Sequence, residues 1–231
     1  MTTLRIAHFN NAYQVSDRKI HVDGQETVNV AKFVTSWASV TSKWEDRNDG
    51  KKDGLVIFSG GPVFSLHREL NRPRKLIPIR TPVPPPGIAR IHVNIPWLLS
   101  NIIDTNIGKV PESMKEGHVL ERRGLRIGPI GLAEKDWIAT ITRWPANIEW
   151  QDCVEVGKQL SAKLRDQAEE YKVDLVFAIT HCRTSNDINS FEDSLLFHRL
   201  VKQLAITSEK GVNLFLGGHD HVYWISKGVN E

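Results

Sequence analysis

Residues 212–221 read VNLFLGGHDH and join a short apolar run to two histidines. Side chains at alternate positions of an extended segment point the same way, so His219 and His221 can converge on one point. Gly217 and Gly218 let the chain leave the strand sharply and let its backbone approach a bound group. Because imidazole is the commonest metal ligand in proteins, this segment predicts a zinc, manganese or iron site, and two surface histidines in a turn are the alternative.

A third histidine follows another apolar run. The run Val173–Thr180 ends directly before His181. Because ligands of open α/β sheets gather at the carboxyl ends of the strands, this imidazole is expected to lie near the two above. Arg183, Asn186 and Asp187 come next and offer a cation and two polar side chains for substrate binding. Turn formation and helix initiation are the alternative roles of Asn186 and Asp187.

The pattern along the whole chain predicts a layered α/β fold, because short apolar runs alternate with segments of helical periodicity. The predicted strands are Leu4–Phe9, Leu55–Phe58, Arg126–Leu132, Val173–Thr180 and Val212–Leu216. The predicted helices cover Val28–Trp44, Asp152–Tyr171 and a segment that begins near Ser190. In the first of these helices, the residues at helical spacing are Val28, Ala31, Val34, Ala38 and Thr41.

Composition limits the classes of protein to which the chain can belong. Its 231 residues suit one domain over residues 1–231, and 40% hydrophobic with 25% charged residues is typical of globular proteins. A formal charge of +3 without a concentrated basic patch argues against a nucleic-acid partner. Two cysteines form no disulfide framework, and neither a signal peptide nor a membrane span is evident. We therefore expect a cytoplasmic protein that has no membrane partner.

One stretch departs from the α/β pattern. Residues 72–87, RPRKLIPIRTPVPPPG, contain six of the eleven prolines, four basic residues and no acid. Proline fixes φ and lacks a backbone donor, so neither a helix interior nor a central strand accommodates this density. An irregular, solvated connector is one interpretation, and a docking peptide for an aromatic-lined groove is the other.

Several strand-end segments together resemble the calcineurin-like metallophosphoesterase family, and in particular its 5'-nucleotidase branch. The matching segments are LRIAHFNNAY, LVIFSGG, IPWLLSNIID, HVLERRGLRIGPIGLAEKDWIATI, VDLVFAITHCRTSND and GGHDHVYW. The resemblance implies a four-layer α/β sandwich of two mixed sheets flanked by helices. It also implies hydrolysis of small phosphorylated substrates such as nucleotides, with divalent metal ions as cofactors. Family members often continue into a separate C-terminal domain, so residues 1–231 resemble a truncated catalytic domain.

The resemblance also assigns metal ligands. It implies that His181 and His219 bind one ion, that His221 belongs to the other, and that Asn11 stands where the family has its first aspartate. Gly61 stands where the family has the aspartate that bridges the two ions. A bridging carboxylate fixes the metal spacing and offsets positive charge. We therefore expect one ion (zinc, manganese or iron) rather than two.

The family's Gly-Asn-His-Asp loop has no counterpart here. Residues 64–93, with the Pro-rich stretch inside them, stand in its place as an irregular insertion or replacement, and a gene-model artefact is the alternative. Without that loop no residue is assigned as catalytic, and we expect weak or absent phosphatase activity. Two functions follow. One is a metal-dependent phosphoric monoester hydrolase, and the other is a catalytically impaired relative that binds a metal or a partner.

Overall fold

The computed structural model describes residues 3–10, 17–21, 25–59, 96–112, 114–138, 144–166, 168, 170–182 and 211–219. The strands within them are β1 (Ile6–Phe9), β2 (Arg18–His21), β3 (Gln25–Val28), β4 (Leu55–Phe58), β5 (Ile102–Asp104), β6 (Leu120–Arg122), β7 (Leu125–Ala133), β8 (Ile148–Trp150), β9 (Leu175–His181) and β10 (Leu214–Leu216). The helices are α1 (Val30–Thr41), α2 (Lys135–Ile138) and α3 (Cys153–Arg165).

The largest described sheet has the strand order β10-β9-β7-β6 and carries most of the core. Strands β7, β9 and β10 run parallel, and β6 pairs antiparallel with β7. Because alternate residues of a strand face opposite sides, β9 places Val176 and Ala178 in one core and Phe177 in another. Both faces of this sheet are therefore buried, as expected for parallel strands.

Helix α3 covers one face of this sheet. It begins after Asp152, whose side chain accepts hydrogen bonds from the backbone N–H groups of Val154 and Glu155. Its buried side, with Leu160 and Leu164, packs against the core on that face of β7 and β9. Burial of such side chains stabilises the fold by roughly 1.5–3 kcal/mol each.

A buried cation connects the end of α3 to the segment that leads into β10. The guanidinium of Arg165 donates to the carbonyl of Gly211 and to the side-chain oxygen of Asn213, and it also contacts Ser161. Burial lowers the pKa of Arg165 to about 10, so the side chain stays charged at neutral pH. These bonds fix the direction in which the chain enters β10.

The parallel pair β1–β4 packs on the other core. Leu55 and Ile57 point inward beside Ile127 of β7, with Leu4 and Ile6 next to them. Smaller antiparallel pairs, β2–β3 and β5–β8, complete the described sheets. The predicted layered α/β class is confirmed, with several sheets, both parallel and antiparallel pairs, and few helices.

The prediction for the first helix was wrong at its start and on its buried side. Val28 belongs to β3, and the helix starts at Val30 because the Asn29 side chain caps it by accepting from the Lys32 backbone N–H. Val34, expected on the apolar face, is 56% exposed. The aromatic contacts come instead from Phe33 and Trp37, whose rings lie 5.5 Å and 5.1 Å from that of Phe9.

All five predicted strands are present. Leu55–Phe58 is confirmed at both ends as β4, and the other four have shifted ends. The antiparallel pair β2–β3 and the three-residue strands β5, β6 and β8 were not predicted. The predicted helix near Ser190 and the segments 64–93 and 72–87 lie outside the described residues. No helix in the described part of the chain is both long and apolar enough to cross a bilayer.

Candidate functional site

The carboxyl ends of β1, β4, β7, β9 and β10 meet at one edge of the fold. Strands β1 and β4 run parallel, as do β7, β9 and β10, so each group presents its ends together. The Asn10 side-chain N–H donates to the Gly217 carbonyl at 2.7 Å and joins the two groups. We call this edge the strand-end rim. Its residues are Asn10, Ser59, Glu134, His181 and residues 217–219.

Two of the predicted ligands, His181 and His219, are brought together at the strand-end rim. Their ring centroids lie 5.1 Å apart with an interplanar angle of 80°. Nδ1 of His219 lies 3.4 Å from Nε2 of His181. The two residues are 38 positions apart in the sequence, and the parallel pairing of β9 with β10 aligns them.

In each ring, the nitrogen that points away from the other histidine (the outer nitrogen) lies near an oxygen atom. Nδ1 of His181 lies 3.1 Å from the carbonyl oxygen of Ser59, which can only accept, so this nitrogen carries the proton. Nε2 of His219 lies 3.4 Å from the Oε1 atom of Glu134. The inner nitrogens, Nε2 of His181 and Nδ1 of His219, face each other.

Glu134 was missed by the sequence prediction. It follows β7 directly, is only 4% exposed, and its backbone N–H lies 3.5 Å from the His181 carbonyl. A carboxylate rarely becomes this buried without a cation or a hydrogen-bond donor beside it. The available signal was an acid placed immediately after a long apolar run, much as His181 follows the run Val173–Thr180.

Ser59 and His8 form a hydrogen-bonded pair next to His181 and His219. The Ser59 hydroxyl donates to the Gly217 carbonyl at 3.0 Å, so Nε2 of His8, 2.8 Å away, donates to the Ser59 oxygen. Burial lowers the pKa of His8, which favours the neutral ring. Ser59 is 2% exposed and its proton is already donated, so this pair is structural rather than a nucleophile with its base.

The backbone before His219 passes very close to its neighbours. A Cβ atom on Gly218 would lie 2.6 Å from the Ser59 carbonyl oxygen and 3.2 Å from Nδ1 of His181. Glycine is therefore required at this position. His219 itself has a φ of +99°, a conformation that residues with a Cβ rarely adopt and that is concentrated at functional sites.

A metal ion at the strand-end rim would require its ligand atoms to lie at a defined spacing. Zinc–nitrogen bonds of about 2.0–2.1 Å at tetrahedral angles place two ligand nitrogens about 3.3–3.4 Å apart. The 3.4 Å between the inner nitrogens of His181 and His219 fits that spacing. Among the described residues, no group of three or more His, Cys, Asp or Glu side chains is placed to hold a metal ion. The same 3.4 Å contact is also within hydrogen-bonding distance, and two imidazoles alone do not complete a metal site, so metal binding stays a prediction.

The other predicted site residues lie outside the described residues, and their roles stay predictions. They are the ligands Asn11 and His221, the substrate-binding residues Arg183, Asn186 and Asp187, and Gly61. Arg183 follows Cys182 directly in the chain, just after the end of β9.

No family model matches the chain, and no curated protein matches it either. Solved structures do. They include an NAD nucleotidase of Haemophilus influenzae (TM-score 0.60, 13% identity, covering 97% of this chain) and a 5'-nucleotidase precursor of Thermus thermophilus (TM-score 0.64, 18% identity, covering 96%). A third is a 5'-nucleotidase of Candida albicans (TM-score 0.51, 15% identity, covering 96%).

These likenesses extend over nearly all of this chain but over less than half of each neighbour. The chain covers 44%, 43% and 44% of the three neighbours in the order given. At these identities the comparison concerns the fold alone. The chain therefore has the metallophosphoesterase-type α/β fold of the 5'-nucleotidases.

Proposed function

We propose that this chain is a metal-dependent hydrolase of phosphoric monoesters, with a nucleotide-type substrate and one bound divalent cation (zinc, manganese or iron). The observation that supports the proposal most directly is the pair His181 and His219, whose inner nitrogens lie 3.4 Å apart at the carboxyl ends of β9 and β10. The fold shared with nucleotidases is consistent with this substrate class, and it does not by itself establish activity.

The position of the pair is suitable for chemistry on a phosphate. The strand-end rim combines the carboxyl ends of five strands, where ligands of α/β proteins bind. A divalent cation held there would polarise a phosphoryl oxygen and neutralise negative charge. Arg183, the residue after Cys182, is proposed to attract the phosphate group, since guanidinium binds phosphate in a bidentate manner.

Turnover is expected to be low. Asn11 and Gly61 supply no carboxylate, and Glu134 is the acid of the described part of the strand-end rim. One ion orients a phosphate but lacks the partner that two-metal hydrolases use to hold the nucleophile in line with the phosphorus. We therefore expect a low rate of phosphate release from an aryl phosphate.

The test is phosphate release from AMP and from p-nitrophenyl phosphate by the purified chain with Mn²⁺ or Zn²⁺. Wild-type protein should release phosphate, EDTA should abolish the release, and His219→Ala should reduce it at least tenfold. His118→Ala is the matched control, because it removes an imidazole that is not part of the strand-end rim. Equal rates for the wild type and His219→Ala would overturn the proposal.

A further inference from the structure

We infer that β10 detaches from the sheet as a local unit, that Arg165 controls this detachment, and that detachment takes His219 away from His181 while β7 and β9 stay folded. The strand-end rim therefore exists only while β10 is docked. This inference does not depend on the proposed function, because it concerns the attachment of a strand and not a bound ion or substrate.

Strand β10 is held weakly along its own length. It has three residues, and all three are only partly buried. Among the described strands it pairs with β9 alone, whereas β9 pairs with β10 on one side and with β7 over seven residues on the other. Segments with few buried contacts open at a lower free energy than the core of the same protein. We therefore expect β10 to open before β9 does.

The start of β10 is held by hydrogen bonds that converge on Gly211 and Asn213. The Arg165 guanidinium and the Ser161 hydroxyl both donate to the Gly211 carbonyl, the hydroxyl at 2.7 Å. Arg165 also donates to Oδ1 of Asn213 at 2.5 Å, and the same oxygen accepts from the Val176 backbone N–H at 2.8 Å. Because hydrogen bonds from a charged donor are the stronger ones, Arg165 is the main contact at this end.

The other end of β10 is held from β1 and β4. The Gly217 carbonyl accepts from the Asn10 side chain at 2.7 Å and from the Ser59 hydroxyl at 3.0 Å. His219 lies two residues further along the chain, whereas His181 ends β9, which stays paired with β7. Detachment of β10 therefore moves one histidine of the pair and leaves the other in place.

Native-state hydrogen exchange followed by NMR tests the inference on the full chain. The Phe215 amide reports on β10, because the Asn213 N–H two residues earlier donates to the Val176 carbonyl of β9. The Phe177 amide reports on the sheet that remains, because it points to the β7 side. In the wild type, Phe215 should exchange at least about tenfold faster than Phe177 and with a weaker dependence on low urea concentrations.

Arg165→Met keeps a long side chain but removes its donors. The Gly211 carbonyl and Asn213 Oδ1 each retain a second partner, so the variant is expected to fold. It should speed the exchange of Phe215 about 10–100-fold, the equivalent of losing a hydrogen bond to a charged group, and leave Phe177 nearly unchanged. Arg126→Met is the matched control, because Arg126 also donates to backbone carbonyls, but in the segment between α3 and β9.

The Asn10 side-chain amide gives a second readout, since it donates to Gly217 at the strand-end rim. Its exchange should accelerate in Arg165→Met together with that of Phe215. An unchanged Asn10 rate beside a faster Phe215 rate would show that the rim does not open with β10, and would overturn that part of the inference.

The wild type alone can contradict local detachment. Equal exchange rates and equal urea dependence of Phe215 and Phe177 would mean that β10 opens only by global unfolding, and this result decides even if Arg165→Met fails to fold. If Arg165→Met left Phe215 unchanged, or sped Phe215 and Phe177 equally, the control by Arg165 would be overturned.

Discussion

His219 combines an unusual backbone with two ring contacts. A positive φ costs a residue with a Cβ roughly 1–3 kcal/mol, so the surrounding structure must hold His219 in place. That structure includes the close approach of Gly218 to Ser59 and the ring contact with His181. The strained residue is the one placed between an imidazole and a buried carboxylate, which agrees with a functional origin of the strain.

Gly218→Ala is expected to destabilise the fold by about 1–3 kcal/mol, the usual cost of overpacking. The added methyl group would meet a backbone oxygen at 2.6 Å, and backbone moves less readily than a side chain. Urea denaturation measures the loss. Gly117→Ala is the control, because its Cβ would meet its nearest neighbour at 3.6 Å and should cost little. Equal stability of the two variants would contradict the close approach.

His8 should make stability depend on pH. Burial lowers its pKa in the folded state below the usual 6.5, so the unfolded chain binds the proton more readily. The stabilisation is present above pH 6.5 and is lost as the pH falls from 6.5 toward the folded pKa. Urea denaturation between pH 8 and pH 5 should show this loss in the wild type and less of it in His8→Gln, which keeps a donor toward Ser59. An identical pH profile in both proteins would rule out His8 as the source.

Among single residues, the proximity of His181 and His219 could be predicted from the sequence, whereas the burial of Glu134 could not. Gly217-Gly218 before a His-x-His pair is a recognisable pattern, and the structure places His219 beside His181. Glu134 carries no such pattern, since a lone acid after an apolar run resembles the ordinary end of a strand. Its burial depends on contacts with residues far away in the chain, which no local signal encodes.

Strand β7 is the element that organises the strand-end rim. It pairs with β9 over seven residues, and its other edge pairs with β6 at the start of the strand and contacts polar side chains near the end. Ser100 Oγ accepts from the Gly131 N–H at 2.8 Å, and the fully buried Asn101 bonds both backbone groups of Ala133. At the end of β7, beyond its pairing with β6, these side chains take the place of a neighbouring strand as hydrogen-bond partners.

Asn101→Ala should destabilise the protein by about 2–4 kcal/mol. The change removes an acceptor for the Ala133 N–H and a donor to the Gln151 carbonyl, and each buried group left unsatisfied costs about 1–3 kcal/mol. Thermal or urea unfolding measures the loss. The exposed Asn106 provides the control, because Asn106→Ala changes the same side chain at the surface and should stay within about 0.5 kcal/mol.

The elements that were predicted and those that were missed differ in length and burial. Strands β4, β7, β9 and β10 are apolar runs, so composition alone indicates them. Strands such as β6 and β8 have three residues that include charged side chains, and only pairing with a neighbour makes them strands. The start of α1 was misplaced because Val28 continued the apolar spacing, whereas Asn29 sets the boundary by capping.

At the scale of the whole molecule, the layered α/β class could be read from alternating strand and helix patterns, and the structure confirms it. The contact of β1 and β4 with the end of β10 could not be predicted from these patterns. That junction depends on hydrogen bonds such as those of Asn10 and Ser59 with Gly217. These bonds involve residues that look like ordinary turn formers in the sequence.

A bound cation should stabilise the folded chain as a whole. A ligand that binds only the native state at one hundred times its dissociation constant adds about 2.7 kcal/mol to the free energy of unfolding. Urea denaturation with Zn²⁺ and with EDTA should show this difference in the wild type. His219→Ala should lose most of it, and His118→Ala should keep it. An equal Zn²⁺ effect in both variants would place the bound ion elsewhere.

The hydrogen bond from Asn10 to Gly217 joins residues 207 positions apart, and the bond from Ser59 to Gly217 spans 158. Closing such long loops is slow, because the entropy of the whole intervening chain must be lost before the contact forms. During synthesis, the early strands leave the ribosome well before the last one does. The strand-end rim is therefore assembled only when β10 docks, so β1 and β4 are synthesised long before either can take part in a site.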